Sequence, residues 1–95
     1  MTDWGLIGSG TPGGWDSDQN MTYDPVNDVW TITLDLITGD IKFRANDAWA
    51  INYGDPTGAG KLVQDGDNIP ISADGNYTIT LDLSGAIYRY TVVEN

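Results

Sequence analysis

Hydrophobic and polar residues alternate along several short stretches of the chain, and this pattern predicts β-strands. Residues 30–36 (WTITLDL) and 77–83 (YTITLDL) both place large apolar side chains at every second position, with Thr or Asp between them. A period of two puts the apolar side chains on one face of a strand, which indicates half-buried strands. Residues 87–93 follow the second segment after the turn Ser84-Gly85-Ala86, and the two segments form the most secure predicted hairpin. Trp4 and Trp30, which have apolar neighbours at even spacing, are interpreted as core residues.

The remaining segments extend this pattern to the whole chain. Turn-forming Gly, Asn, Asp and Pro residues separate further predicted strands at 4–8, 41–46, 49–53 and 69–71 and shorter candidate strands at 21–23 and 61–64. A long loop is predicted over 9–20, and turns at 24–28 and 39–40. Residues 49–53 are expected to pair with 41–46. No stretch has a helical period, so the prediction is an all-β chain, an immunoglobulin-like antiparallel β-sandwich of about seven or eight short strands. A partly open barrel is the alternative.

Composition narrows the possible functions. The chain has 95 residues, which predicts one domain over 1–95. It contains no cysteine and no histidine, and so lacks disulfides, thiolate metal sites and the commonest general base. The net charge of −10 disfavours nucleic acid and anionic lipid as partners. We expect no cofactor and no enzymatic activity. We also expect no membrane insertion by this module, because no segment reaches the roughly 20 apolar residues that a membrane span requires.

The segment 41–54 (IKFRANDAWAINYG) carries the candidate chemistry. Strand alternation places Ile41, Phe43 and Ala45 on one face and Lys42, Arg44 and Asn46 on the other, so one face resembles core and the other a polar site. Trp49 follows this strand, and Trp15 lies in the glycine-rich loop Thr11-Pro12-Gly13-Gly14-Trp15-Asp16. An aromatic ring beside long hydrogen-bond donors suits a sugar, whose C–H face stacks on the ring while its hydroxyls need polar partners.

Several segments together resemble the repeated modules of the SusE and SusF starch-binding outer-membrane lipoproteins: Trp4-Gly5-Leu6-Ile7-Gly8-Ser9, the Trp15 loop, Val29-Trp30-Thr31-Ile32, residues 41–46, Trp49, Asn52-Tyr53-Gly54 and residues 75–83. The resemblance covers nearly the whole chain in the right order. It implies a non-catalytic, immunoglobulin-like module that binds α-glucan at the cell surface.

Carried over by position, the resemblance makes Trp15 and Trp49 the stacking platforms and Lys42 and Arg44 the donors, with Asn46, Asn52 and Tyr53 as further candidates. The implied partner is starch or a malto-oligosaccharide, alongside other modules of a parent protein from which this one was excised. The implied location is the outer face of the outer membrane, as part of a lipoprotein, or the secreted fraction.

Other interpretations stay open. Lys42 and Arg44 also fit a solvated sheet face, paired with Asp40 and Asp47. Asp16, Asp18 and Asn20 have the spacing that opens a calcium-binding EF-hand loop, but Met21 and Asn27 stand where that loop needs Gly and Glu.

The main alternative from another class is a spacer or adhesion sandwich without a glycan site; a module for another glycan is a further one. The spacer predicts that Trp15 and Trp49 are buried or unpaired. Glycan binding predicts both rings exposed on one surface with Lys42 and Arg44.

Overall fold

A computed structural model describes residues 3–95, and all regular structure within this range is β-strand. Segments in which apolar and polar residues alternate, and which are rich in β-branched and aromatic side chains, form ten short strands. They are β1 (Trp4–Ile7), β2 (Gln19–Asn20), β3 (Thr22–Asp24), β4 (Val29–Leu36), β5 (Gly39–Ala45), β6 (Asn52–Gly54), β7 (Val63–Gln64), β8 (Ile69–Ile71), β9 (Gly75–Asp82) and β10 (Arg89–Glu94). A helix long and apolar enough to cross a bilayer does not occur within residues 3–95.

The strands form two antiparallel sheets. The first has the order β2-β1-β5-β6-β7, with β8 pairing to the start of β5, and the second has the order β10-β9-β4-β3. The all-β sandwich prediction is confirmed, including the hairpin of β9 and β10. The structure has ten strands against the predicted seven or eight. The unpredicted one is β2, which lies in residues 9–20, predicted to be loop, and has only two residues, too few to show a period. The short β3 and β7 fall on the candidate segments 21–23 and 61–64.

Besides the loop over 9–20, which contains β2, two further local predictions were wrong. Residues 39–40, predicted to be a turn, begin β5, because Gly39 pairs with Ile71 and Asp40 with Pro70. Residues 49–51, predicted to be strand, lie in the loop before β6, and only Asn52 and Tyr53 pair with β5. Trp49 therefore lies on a loop rather than in a strand register.

The core lies between the sheets. Phe43 of the first sheet and Ile79 and Leu81 of the second are fully buried. Strands β4 and β9 place Trp30 opposite Leu81, so the two similar alternating segments face the core side by side. Trp4 and Trp30 are buried members of this core, as predicted.

The outer face of the first sheet carries a second buried layer. Lys42 and Arg44 point away from the core, as alternation predicts, yet they are only 9% and 7% exposed. Ile7, which pairs with Lys42, is also fully buried although it does not belong to the central core cluster. A sheet face this well covered must lie beneath other parts of the chain, and the loops that carry Trp15 and Trp49 lie here.

Candidate functional site

Trp15 and Trp49 form one exposed aromatic surface. Their ring centroids are 5.9 Å apart and their planes meet at 35°, within the range of aromatic pairs in contact. Trp15 is 39% exposed and Trp49 is 47% exposed, which is unusual for such large apolar side chains. The two rings, 34 positions apart in sequence, thus meet on the outer face of the first sheet and present a bent apolar surface to solvent.

The loop of Trp15 is held by backbone hydrogen bonds. Gly8 N–H donates to the Gly14 carbonyl at 3.1 Å, and the buried Thr11 hydroxyl donates to the Gly8 carbonyl at 2.9 Å. Gly10 N–H donates to the Asp40 carbonyl at 3.0 Å, which ties the loop to the start of β5. Gly8 has a φ of +146°, a conformation that L side chains rarely adopt. The backbone that presents Trp15 is therefore fixed before any ligand arrives.

The loop of Trp49 is held by a different set of bonds. Asn46 and Asp47 are both left-handed, with φ of 56° and 55°, a conformation that Asn and Asp tolerate better than most residues. Ala45 N–H donates to the Ile51 carbonyl at 2.9 Å and closes the loop. The Asn52 side-chain amide donates to the Trp49 carbonyl at 2.9 Å. Both Trp residues thus occupy anchored backbone positions.

Arg44 lies beneath the Trp49 ring. The centre of its guanidinium is 4.8 Å from the ring centroid, a cation–π distance. Its Nε donates to Asp18 Oδ1 at 2.6 Å, and a terminal nitrogen pairs with the same oxygen. The Asp18 side chain is only 1% exposed. The alternative interpretation, in which Arg44 pairs with Asp40 or Asp47, is not what the structure shows. The partner is Asp18, which the loop after Trp15 brings back over β1.

Lys42 occupies the neighbouring position on the same strand face. Its Nζ lies 5.9 Å from the Trp49 ring centroid and donates to Asn52 Oδ1 at 2.6 Å. The Asn52 amide also donates to Asp65 at 2.9 Å. Lys42, Asn52 and the Trp49 carbonyl therefore belong to one hydrogen-bonded network, which is buried at the Lys42–Asn52 bond.

These contacts revise the expected roles of the two cations. Lys42 and Arg44 are about nine-tenths buried, and their hydrogen bonds are directed to Asn52 and Asp18. They support the Trp49 ring from below instead of projecting as free donors.

The three remaining candidates, Asn46, Asn52 and Tyr53, lie in three different parts of the structure. Asn52 belongs to the network just described. Asn46 is exposed, and it is bound to the N-terminal segment: its N–H donates to the Asp3 carbonyl at 2.7 Å, and its Oδ1 accepts from Asp3 N–H at 3.0 Å. Tyr53 lies on the opposite face of the sheet, because it pairs with core-facing Phe43 while Asn52 pairs with Arg44. The structure therefore brings Trp15, Trp49, Lys42, Arg44 and Asn52 together and separates Tyr53 from them.

Sequence reasoning missed a polar hollow beside the aromatic pair. It has a volume of about 360 Å³ and is lined by Asp16, Ser17, Asp18, Asn20, Arg44 and Asp47. The signal in the sequence was indirect: a buried Arg needs a carboxylate partner. In a chain with many aspartates, that requirement does not say which one is used.

The calcium interpretation of residues 16–20 finds no support in the geometry. Asp18 is occupied by Arg44, and within residues 3–95 no group of three or more acidic side chains is arranged to hold a metal ion.

No known protein family, curated protein or solved structure matches the chain.

Proposed function

We propose that the chain is a non-catalytic glycan-binding module and that the Trp15–Trp49 surface is where the glycan stacks. The observation that carries this proposal is that two large aromatic rings, each more than a third exposed, contact each other on loops that hydrogen bonds hold in place. Exposed aromatic clusters with fixed backbones are typical of recognition surfaces.

The shape of the surface favours an α-1,4-glucan. The ring planes are inclined by 35°. A curved α-1,4 chain turns successive glucose units by an angle, so a bent pair of rings can contact adjacent units, whereas a flat β-1,4 chain suits coplanar rings. The resemblance to starch-binding modules points to the same ligand, starch or a malto-oligosaccharide.

The Lys42 and Arg44 charges beneath the Trp49 ring hold that ring in place before the glycan binds. Arg44 and Lys42 lie near Trp49, and Asn52 binds its backbone carbonyl. A ring held in this way loses little conformational freedom on binding, which removes part of the entropic cost of association. The adjacent hollow is lined by side chains that can accept hydrogen bonds from sugar hydroxyls, among them Asp16, Ser17 and Asp47.

The expected affinity is modest. Two stacked rings and a few hydrogen bonds, after the costs of association, leave about −4 to −6 kcal/mol, or a dissociation constant from roughly millimolar to tens of micromolar. Weak sites of this kind work through avidity. The module therefore fits a surface-exposed or secreted multidomain protein that holds glucan with several sites.

Affinity electrophoresis tests the proposal. Native gels containing amylopectin, pullulan, dextran or a β-glucan are run with the wild type, Trp15→Ala and Trp49→Ala. The matched control is Val26→Ala, which shortens another apolar side chain that is 89% exposed. We expect retardation of the wild type and Val26→Ala in the α-glucan gels and loss of retardation in both Trp variants.

The competing function is a spacer or adhesion sandwich. It leaves the contact between two exposed Trp rings without a role. If folded wild-type protein migrates in every glycan gel as it does in a gel without glycan, the glycan proposal is wrong and the spacer becomes the better account. Retardation only in the β-glucan gel would instead change the ligand class.

A further inference from the structure

A second aromatic cleft lies between the two sheets, away from the Trp15–Trp49 surface. It has a volume of about 380 Å³ and is lined by Trp4, Ile51, Tyr53, Gln64, Leu83 and Tyr88. This volume is within the range of small-molecule sites. The residues come from β1, the loop before β6, β6 and β7 of the first sheet and from the connection between β9 and β10 of the second, so the cleft forms only when the sheets pack.

Three aromatic rings form its wall. Tyr53 and Tyr88 are 5.1 Å apart at an angle of 46°, and Trp4 lies 5.9 Å from Tyr53 and 6.4 Å from Tyr88. The two tyrosines also line a smaller adjoining hollow of about 240 Å³. Tyr53 and Tyr88 are only partly buried, so their rings face both the core and solvent.

The hydroxyl groups distinguish these two tyrosines from the others. Tyr23, Tyr77 and Tyr90 donate to Asp28, the Ala73 carbonyl and Asp55, each at 2.7 Å. Within residues 3–95, the hydroxyls of Tyr53 and Tyr88 make no such bond. Burial, together with Tyr88 and Asp65, raises the pKa of Tyr53 further above neutral pH, where a tyrosine hydroxyl is already protonated and able to donate.

We propose that this cleft is a second glycan subsite, which takes one neutral hexose unit against Tyr53 and Tyr88. The inference rests on the proposed function, since it assumes that the chain binds glycans. The aromatic faces offer stacking surface, and the Tyr53 and Tyr88 hydroxyls and the Gln64 amide offer donors and acceptors in its lining. An apolar ligand would leave those polar groups without partners, which favours a hydroxylated ring.

The position of the cleft relative to the first surface explains how both can serve one ligand class. The loop between β5 and β6 carries Trp49 on the outer face and Ile51 in the cleft, two residues apart. Two contact points on opposite sides of one loop let a single module bind two glucan segments. Such bivalency raises the apparent affinity for polymers over that for short oligosaccharides.

Titration with maltohexaose, followed by ¹H–¹⁵N NMR of the whole chain, tests this inference. The background is a Trp15→Ala/Trp49→Ala variant, which removes the first surface. We expect maltohexaose to shift the amide signals of Tyr53, Gln64 and Tyr88 in this background. Tyr53→Phe/Tyr88→Phe, added to it, removes only the two hydroxyls and should weaken this binding about five- to tenfold. Tyr23→Phe is the matched control and should not change it.

The outcomes separate the two proposals. Shifts in the wild type that are confined to residues around Trp15 and Trp49 overturn the second subsite and leave the proposed function intact. Equal binding with and without the two hydroxyls also overturns it. No shift anywhere in the wild type, at millimolar maltohexaose, overturns both the second subsite and the α-glucan ligand, and the glycan gels then decide whether the chain binds another glycan.

Discussion

The guanidinium of Arg44 lies 4.8 Å from the centre of the Trp49 ring. The same guanidinium is ion-paired to the buried Asp18 carboxylate, so one side chain links the exposed aromatic surface to a charge inside the protein. Asp18 Oδ2 is buried without a hydrogen-bond partner, which makes Arg44 the main compensation for the Asp18 charge. Changes at Arg44 should therefore affect both folding and the position of Trp49.

Arg44→Ala should strongly destabilise the protein. It leaves the Asp18 carboxylate buried and unpaired, and removing one partner of a buried ion pair costs about 3–5 kcal/mol. Urea unfolding measures the loss. The matched control is Arg89→Ala, at an exposed arginine, where we expect a change within about 0.5 kcal/mol.

A double variant separates the effect of the Arg44–Asp18 ion pair on stability from the effect of Arg44 packing against Trp49. Asp18→Asn combined with Arg44→Gln removes both charges and keeps a polar side chain at each position, although Gln is shorter than Arg. It should recover more than half of the stability lost in Arg44→Ala. If it is as unstable as Arg44→Ala, the packing of Arg44 against Trp49 matters more than the ion pair.

Asn52→Ala should weaken glucan binding without touching the proposed ligand surface. Asn52 joins Lys42, Asp65 and the Trp49 carbonyl, and its loss removes the side-chain bond that holds Trp49 within its loop. We expect a two- to tenfold weaker affinity for maltohexaose by calorimetry, since a neutral hydrogen bond contributes about 0.5–1.5 kcal/mol.

Asn68→Ala, at an exposed turn position, serves as the control for Asn52 and should bind as the wild type does. Affinity of Asn52→Ala equal to that of the wild type would show that Trp49 keeps its position without this anchor.

Gly8→Ala should be far more harmful than Gly14→Ala, although both glycines precede Trp15 in one loop. A Cβ on Gly8 would overlap the Asp40 carbonyl, so β5 or the loop must move, and we expect a loss of more than about 3 kcal/mol. A Cβ on Gly14 meets nothing within 4 Å, which leaves only its left-handed φ of +58°, at about 1–2 kcal/mol. Thermal unfolding of the two variants gives the order. Equal losses would indicate that the loop relaxes around Gly8.

Stability should fall in acid partly through Asp55. This buried carboxylate accepts hydrogen bonds from the Thr57 N–H and hydroxyl, Gly58 N–H, Gly60 N–H and the Tyr90 hydroxyl. Burial alone raises the pKa of Asp55, but the bonds from Tyr90, Thr57 and Gly60 outweigh it and hold that pKa well below its ordinary value of 3.8. The resulting stability is present above the unfolded pKa and is lost as pH falls through the lower folded pKa.

Asp55→Asn tests this pH dependence. It should cost on the order of 2–3 kcal/mol at pH 7, the scale of hydrogen bonds to a charged group, and much less at pH 2. Urea unfolding at pH 7, 4 and 2 measures the difference, with Asp67→Asn, at an exposed position, as the control. A cost for Asp55→Asn that is the same at every pH would show that the carboxylate contributes through shape rather than charge.

The sequence alone was sufficient for the two-sheet architecture and for the core. Alternation in β4, β5 and β9 depends only on backbone geometry within a few residues, so it identified Phe43 and Ile79 as inward-facing and Lys42 and Arg44 as outward-facing. It also indicated that Trp15, in a loop with two preceding glycines, has no strand register to carry it inward. These are short-range consequences of residue type, and the structure agrees with them.

Tertiary structure alone decided how the site is assembled. Trp15 meets Trp49, and Asp18 reaches Arg44, because the loop before β2 folds back over the sheet, and no local period encodes the path of a loop. Tyr53 faces the second cleft because it pairs with core-facing Phe43. A continuous strand from Trp49 would instead have placed residues 49, 51 and 53 on one face. Strand faces follow from local periodicity, whereas the ion pair, the ring contact and the register depend on segments brought together only by folding.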